Sequence, residues 1–343
     1  TAKLSVGILS AYQLYGDGSN LTGISAGGGG FTPDDDGNLL AGTDAGKCLG
    51  GNSYSNIFIG CDAGRAACTN GVNYNIIMGH HAAQGNVNGC SMCDAACNIA
   101  LGIFSGHFLT SGLNNILIGK GSGCSSSSTG LSGNSNVSIG DGAGNKLSSG
   151  GTNVLLGKNA GKCVTTGTEN IAIGCGAQGT AAVTGQQNIT IGKNAGTDIT
   201  SGSYNILFGR IAAQGLTTGQ GNIAMGTGTL GGDLATTVTG LNNVMIGNQT
   251  AVAATSASCN ILIGHLAGRC LTEGLHNIFL GAYTGKELQA CCNNVFIGRE
   301  AGCCANPSSE GVFIGYRAGK GAGAMNTGFS NTFIGVDAGC NNT

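Results

Sequence analysis

Residues 260–264, 277–281 and 294–298 read NILIG, NIFLG and NVFIG, and this phrase decides the fold. Each is a copy of asparagine, aliphatic, apolar, aliphatic, glycine, a pattern that recurs seventeen times with variants. Nine of the sixteen intervals between closing glycines are 17 residues, and the others are 18 to 23, which indicates one unit with insertions into a loop. The closing glycines are Gly42, Gly60, Gly79, Gly102, Gly119, Gly140, Gly157, Gly174, Gly192, Gly209, Gly226, Gly247, Gly264, Gly281, Gly298, Gly315 and Gly335.

Small residues mark the corners of this unit. Every copy has Ala, Ser or Thr three residues after the closing glycine, as at Ala160 and Ala267, and many have another glycine seven residues before it, as at Gly150. We read the unit as a strand, a tight corner, a shorter second strand and a glycine corner. One unit buries too little to fold alone, so the copies must stack at the strand spacing of about 4.8 Å. The sequence predicts an all-β fold, a parallel β-solenoid (β-roll) of about 17 coils with a 17-residue repeat.

The asparagine that opens each strand, for example Asn170 or Asn205, has two interpretations. Asparagine tolerates a corner conformation, so it could serve only as a turn residue. Stacked amides can also hydrogen-bond along a ladder, and we expect this second role.

Side chains alternate between the two faces of a strand, so the middle residue of each phrase faces away from its neighbours. We predict that the neighbours form the coil core: Ile57, Ile59, Ile171, Ile173, Ile261 and Ile263. The middle residue is apolar in every copy except at Ser138 and Thr190, which indicates that its face is covered too. We predict a seam between three identical chains at Phe58, Leu117, Leu155, Leu207, Met245, Leu262, Phe279, Phe296, Phe313 and Phe333. A monomer that folds a layer of loops over this face is the alternative.

The composition excludes several classes of protein. The chain has 343 residues with 67 Gly and 2 Pro, and the glycines have no three-residue period, which excludes collagen. A net charge of −2 offers no basic surface for nucleic acid. No apolar run approaches the roughly 20 residues that span a bilayer. We predict no membrane insertion.

The chain divides into three predicted regions. Residues 1–26 form an amino-terminal segment that docks to another protein or lends a strand, residues 27–37 form a glycine-rich linker, and residues 38–343 form the repeat.

Two stretches resemble a known family. Residues 15–24, YGDGSNLTGI, resemble a phrase of marine bacteriophage tail-fibre proteins, and residues 331–339, NTFIGVDAG, resemble their repeat arrays. The pattern Ile-Gly-x-x-Ala is also similar to the coils of trimeric autotransporter adhesin heads. This resemblance implies an extracellular trimeric fibre on a virion tail or cell-surface appendage. It also implies contact with a host-surface receptor, and docking to neighbouring fibre or virion proteins through residues 1–26.

Sixteen cysteines suit an oxidising compartment. Cys291, Cys292, Cys303 and Cys304 lie in consecutive coils and are candidates for disulfides between coils or between chains. Several cysteines occupy the same corner, six residues after a closing glycine, where the alternative is that cysteine serves as a small buried hydrophobe: Cys48, Cys163, Cys270 and Cys304. A metal site is conceivable where Cys90, Cys93 and Cys97 lie near His80, His81 and His107, but the ligand spacing is diffuse, and we predict neither metal nor cofactor.

These patterns favour a non-catalytic structural and adhesive fibre. No convincing pair of carboxylates supports a polysaccharide-cleaving enzyme. The first alternative is a self-assembling extracellular filament, linked end to end through the amino-terminal segment and by disulfides. The second is an ice-binding solenoid that uses Thr pairs such as Thr165-Thr166 and Thr217-Thr218.

Overall fold

The computed structural model describes residues 33–67, 71–85, 92–125, 130–231, 237–304, 310–321 and 329–340. In these residues it has seventeen parallel strands of three residues each and no helix. The predicted β-solenoid is therefore confirmed. The predicted amino-terminal segment, residues 1–26, and most of the linker lie outside the described residues.

Each strand coincides with the three residues that precede the closing glycine of one phrase. The strands are β1 (Leu39–Ala41), β2 (Ile57–Ile59), β3 (Ile76–Met78), β4 (Ile99–Leu101), β5 (Ile116–Ile118), β6 (Val137–Ile139), β7 (Val154–Leu156), β8 (Ile171–Ile173), β9 (Ile189–Ile191), β10 (Ile206–Phe208), β11 (Ile223–Met225), β12 (Val244–Ile246), β13 (Ile261–Ile263), β14 (Ile278–Leu280), β15 (Val295–Ile297), β16 (Val312–Ile314) and β17 (Thr332–Ile334).

The strands stack in chain order, and each pairs with the strand of the next coil. Between β13 and β14, Leu262 lies opposite Phe279. The register survives the longest insertion, because Ile77 of β3 lies opposite Ala100 of β4. The extra residues of a longer unit therefore leave the pairing of the strands unchanged.

The predicted second strand is wrong. Outside the sheet, the described residues form turns, and in some coils these turns are joined by isolated bridges, such as Val164 with Val183 and Leu216 with Val238. One aliphatic residue on that side does not make a strand.

The middle residue of each strand points into the interior of the coil. The sequence-based prediction, which placed the first and third residues inside and the middle residue outside, is therefore wrong. Phe58, Leu117, Leu155, Leu207, Met245, Leu262, Phe279, Phe296 and Phe313 are all 0% exposed within one chain, and Phe333 is partly buried against them. These residues are not a seam between chains. Ile57, Ile59, Ile171 and Ile173 are only half-buried, and Ile261 and Ile263 are exposed, so these residues are not the core.

The narrow cross-section of the coil explains this reversal. In the coil of β10, the interior is filled by Asn205, Leu207, Ala212 and Leu216, all fully buried. One large side chain from the strand, a small residue at the corner and one aliphatic from the opposite wall leave no room for two further isoleucines. Alternation along the strand then directs both flanking residues outward.

The predicted asparagine ladder is confirmed. The side-chain Nδ2 of Asn243 donates to Oδ1 of Asn222 at 2.9 Å and to the backbone oxygen of Ala257 at 2.8 Å. Its own Oδ1 accepts from the backbone N–H and from Nδ2 of Asn260, both at 3.1 Å. The buried ladder asparagines are Asn38, Asn56, Asn75, Asn98, Asn115, Asn136, Asn153, Asn170, Asn188, Asn205, Asn222, Asn243, Asn260, Asn277 and Asn294.

Two kinds of glycine permit the stacking. The closing glycine Gly264 has φ +144°, and a Cβ there would lie 2.3 Å from the backbone oxygen of Gly281 in the next coil. At the corner, Gly302 has φ +58°, and its Cβ would lie 2.5 Å from the ring of Phe296. Both positions therefore exclude a side chain by conformation and by space.

Candidate assembly surface and side-chain clusters

The first and third residues of the seventeen strands form the surface that we call the aliphatic face. Its two columns run the length of the sheet, and every member except Thr332 is apolar. Most of its members are half-buried, and the more exposed ones include Ile206 at 40%, Phe208 at 51% and Ile261 at 40%. The sequence-based prediction of an apolar surface was therefore right in kind but placed it on the wrong residues.

The area of this face is large for a surface in water. Seventeen strands at about 4.8 Å give a length of roughly 77 Å, and a width of about 10 Å gives roughly 800 Å². The largest apolar patch on a typical monomer is about 300–600 Å². One partner in a standard protein–protein interface buries about 800 Å². The aliphatic face thus has the size of an interface.

Hydroxyl groups on the opposite wall bond from coil to coil. The Oγ1 of Thr200 donates to the backbone oxygen of Thr217 at 3.2 Å, and that of Thr255 donates to Thr272 at 3.1 Å. Thr165 donates in the same way to Val183 at 3.2 Å. These hydroxyls hold the stack together, and the ice-binding alternative, which uses the same threonines, stays a prediction.

A surface groove lies beside the corners that follow β4 to β7. It has a volume of about 300 Å³, and its lining includes Phe104, Lys120, Asp141, Asn145 and Lys162. An aromatic face with charged and amide groups around it can contact a small polar ligand. The sequence-based prediction missed this groove, because its residues come from variable corner positions of different coils.

A polar cluster connects three early coils. The carboxylate of Asp62 lies 3.3 Å from Nδ1 of His81 and accepts from Nε2 of Gln84 at 3.0 Å. Gln84 in turn bonds His107 at 2.8 Å. Burial, together with His81, lowers the pKa of His107 below its ordinary value. The cluster therefore favours the neutral form of the His107 side chain.

The structure does not assemble the predicted metal candidates of this region into a site. Cys93 is disulfide-bonded, Cys97 is exposed and free, and Cys90 lies outside the described residues. A cysteine in a disulfide cannot supply the thiolate that a metal ligand requires.

The predicted disulfides of the carboxy-terminal coils are not formed within the chain. Cys291, Cys292, Cys303 and Cys304 are free thiols. The first pair precedes Gly298 and the second follows it, so the two pairs lie at different corners and do not stack. Of the four corner cysteines expected to serve as buried hydrophobes, Cys163 is buried, Cys270 and Cys304 are half-buried, and Cys48 is exposed. Cys291 and Cys303 are buried as well. Burial raises the pKa of each of these two thiols to about 12.

Comparison with known proteins adds no relative: no family model matches the sequence, and no curated protein is similar to it. Among the described residues, no helix has the length and apolarity that crossing a bilayer requires.

Proposed function

We propose that this chain is the shaft of an extracellular structural fibre, and that three copies assemble through the aliphatic face. One observation carries the proposal: an uncharged apolar surface of interface size follows the whole stack. A second copy is its best occupant, because the face is as long as the solenoid itself and has the same period. Three chains around an axis bring three such faces together and remove them from water.

The resemblance to tail-fibre proteins gives this fibre its setting. We place the fibre on a phage tail or a similar surface appendage, with residues 1–26 docking to neighbouring fibre or virion proteins. Contact with a cell-surface receptor falls to the variable corners. The groove beside Phe104 and Asp141 is the best candidate for that contact, because it offers polar groups in a concave surface. The fibre has a structural and adhesive role without catalysis.

The oligomeric mass tests the proposal. Light scattering after gel filtration should give three times the chain mass of 33.6 kDa. The double change Ile261→Lys and Ile263→Lys should reduce the mass to that of the monomer, because six charges would meet at the seam of a trimer.

A matched control changes apolar residues outside the strands. Leu241 and Leu275 are 42% and 39% exposed, close to the 40% and 38% of Ile261 and Ile263. The change of both leucines to lysine should leave the mass unchanged. A monomeric wild-type chain, or equal effects of both double changes, would refute the assembly through the aliphatic face.

One observation favours the filament as a second candidate. At the two ends of the sheet, the interior column is incompletely covered: Leu40 of β1 is 40% exposed, and Phe333 of β17 is only partly buried. A second chain could continue the stack there, with its asparagine and glycine columns in register. Electron microscopy separates the two candidates, because indefinite polymers require end-to-end stacking and short free rods contradict it.

A further inference from the structure

Two free thiols and one carboxylate lie together on the corner of the coils of β14 and β15. The ligand atoms of Glu287, Cys303 and Cys304 all lie within 4.8 Å of one another. Cys303 is buried, Cys304 is half-buried and Glu287 is exposed, so the cluster opens to solvent on one side. No other group of three potential ligands of this kind occurs among the described residues.

The stacking of the coils holds these residues in place. Glu287 follows Gly281 by six residues and Cys304 follows Gly298 by six, so they occupy the same column in adjacent coils. The backbone N–H of Glu287 donates to the oxygen of Cys303 at 2.9 Å, and that of Cys304 donates to Lys320 in the following coil at 3.0 Å. The ligand positions are therefore fixed by the same hydrogen bonds that build the solenoid.

The distance between the sulfurs suits a common metal ion. The two Sγ atoms of Cys303 and Cys304 are 3.6 Å apart. Two sulfurs bound at about 2.3 Å to one tetrahedral zinc ion lie about 3.8 Å apart. The thiols are thus spaced as a chelating pair, and little movement is needed to bind.

We propose that Glu287, Cys303 and Cys304 bind a thiophilic divalent cation of the Zn²⁺ class, with the fourth position open to solvent. Two thiolates and one carboxylate carry three negative charges, which a divalent ion neutralises in part. Lys286 and Lys320 interact electrostatically with the thiols and offset the remaining charge. Because the ligands come from two coils, the bound ion ties these coils together.

The chain contains a matched control pair. Cys291 and Cys292 are also adjacent, with one thiol buried and the other half-buried, and both are free. The Sγ of Cys291 lies 3.8 Å from Oδ1 of Asn277, and no described carboxylate joins this pair in a group of three ligands. If adjacent thiols alone were sufficient, both pairs would bind equally.

Titration of the full chain with Cd²⁺, a spectroscopic probe for Zn²⁺, tests the site. We expect one tight ion per chain, visible as thiolate-to-cadmium charge-transfer absorption, and displacement of that ion by Zn²⁺. Glu287→Gln should weaken binding at least tenfold, as loss of a ligand or its support commonly does. Cys304→Ser should abolish the absorption, whereas Cys292→Ser should change the affinity less than twofold.

Three outcomes would overturn the site: no tight ion in the wild-type chain, an equal loss in Cys292→Ser and Cys304→Ser, or unchanged affinity in Glu287→Gln. Glu287 is exposed, so its substitution leaves the fold intact and keeps the test decisive. X-ray absorption on the cadmium-loaded chain gives an independent measure, since two sulfur neighbours are required. Assembly through the aliphatic face can fail without affecting any of these results.

Discussion

Replacement of Asn243 by aspartate would test whether the buried amide ladder stabilises the coil. In aspartate an oxygen replaces Nδ2, which now donates to Oδ1 of Asn222 at 2.9 Å and to the oxygen of Ala257 at 2.8 Å. The new carboxyl oxygen would then face two other acceptors, Oδ1 of Asn222 and the backbone oxygen of Ala257. Water cannot separate them, because Asn243 is fully buried. At about 1–3 kcal/mol for each buried group left without its partner, we expect Asn243→Asp to lower the free energy of unfolding by roughly 2–6 kcal/mol at neutral pH.

The loss should depend on pH. Burial against two acceptors disfavours the charged carboxylate, so we expect the folded state to raise the pKa of the new aspartate above its unfolded value of about 3.9. Below that unfolded value the aspartate is protonated in both states and can donate to Ala257, so the loss is smallest there. As the pH rises towards the folded pKa, the loss grows, because the unfolded state releases the proton first.

The adjacent asparagine provides the control. Asn242 is exposed, with φ +55°, and lies outside the ladder. Asn242→Asp should change stability by less than about 0.5 kcal/mol. Guanidinium unfolding followed by circular dichroism at pH 4 and pH 8 measures both variants. Equal effects of the two substitutions, or an Asn243→Asp effect that does not increase with pH, would refute this account of the ladder.

Three further predictions concern the interior, the corners and the thiols. Phe296→Ala should lower the free energy of unfolding by about 3–5 kcal/mol, because it opens a cavity between the rings of Phe279 and Phe313, whose centroids lie 4.9 and 4.5 Å from that of Phe296. A loss under 1 kcal/mol in denaturant unfolding would contradict the interior position of Phe296. Ile211→Asn should stabilise the chain by about 1 kcal/mol, because β-branched residues are strained at the positive φ of +51° that Ile211 adopts. The equivalent residue of the preceding coil is Asn194, with φ +56°, and a lower midpoint of unfolding in the variant would be the contrary result. Cys303, whose pKa burial raises to about 12, should be alkylated far more slowly at pH 8 than the exposed Cys175, as mass mapping after a short pulse of iodoacetamide would show; similar rates would be the adverse outcome.

The repeat, the stacking and the asparagine ladder follow from the sequence because each depends on residue type at a fixed spacing. Which face of each strand points inward does not follow from alternation. Alternation divides the side chains into two sets but does not say which set lies inside the coil. Both sets are apolar here, so hydrophobicity alone favours neither. The proposed metal site at Glu287, Cys303 and Cys304 was missed for a different reason: it joins residues of two coils, whereas the sequence-based candidates came from the longest insertion and the histidines near it.

The sequence does contain a signal for which face of the strands points inward. Where the middle residue is Phe296, the residue four after the closing glycine is Gly302, and a Cβ there would strike the ring at 2.5 Å. Where the middle residue is Ala224, the corresponding residue is Leu230, and both are fully buried. In these two coils, large and small side chains therefore compensate for each other, although in the coil of β4 both residues, Ala100 and Gly106, are small. Such compensation arises only if both positions share the interior.

The narrow interior also supports the proposed assembly through the aliphatic face. The amide ladder satisfies its own hydrogen bonds along the stack, so the coil needs nothing from the flanking strand positions. Threonine forms strands about as well as valine or isoleucine, and would suit those positions if they met water. Sixteen of the seventeen strands instead have apolar residues at both positions, and only Thr332 in β17 departs from this. Since aliphatic side chains there add nothing to the interior of one chain, their repetition supports the proposed assembly through the aliphatic face.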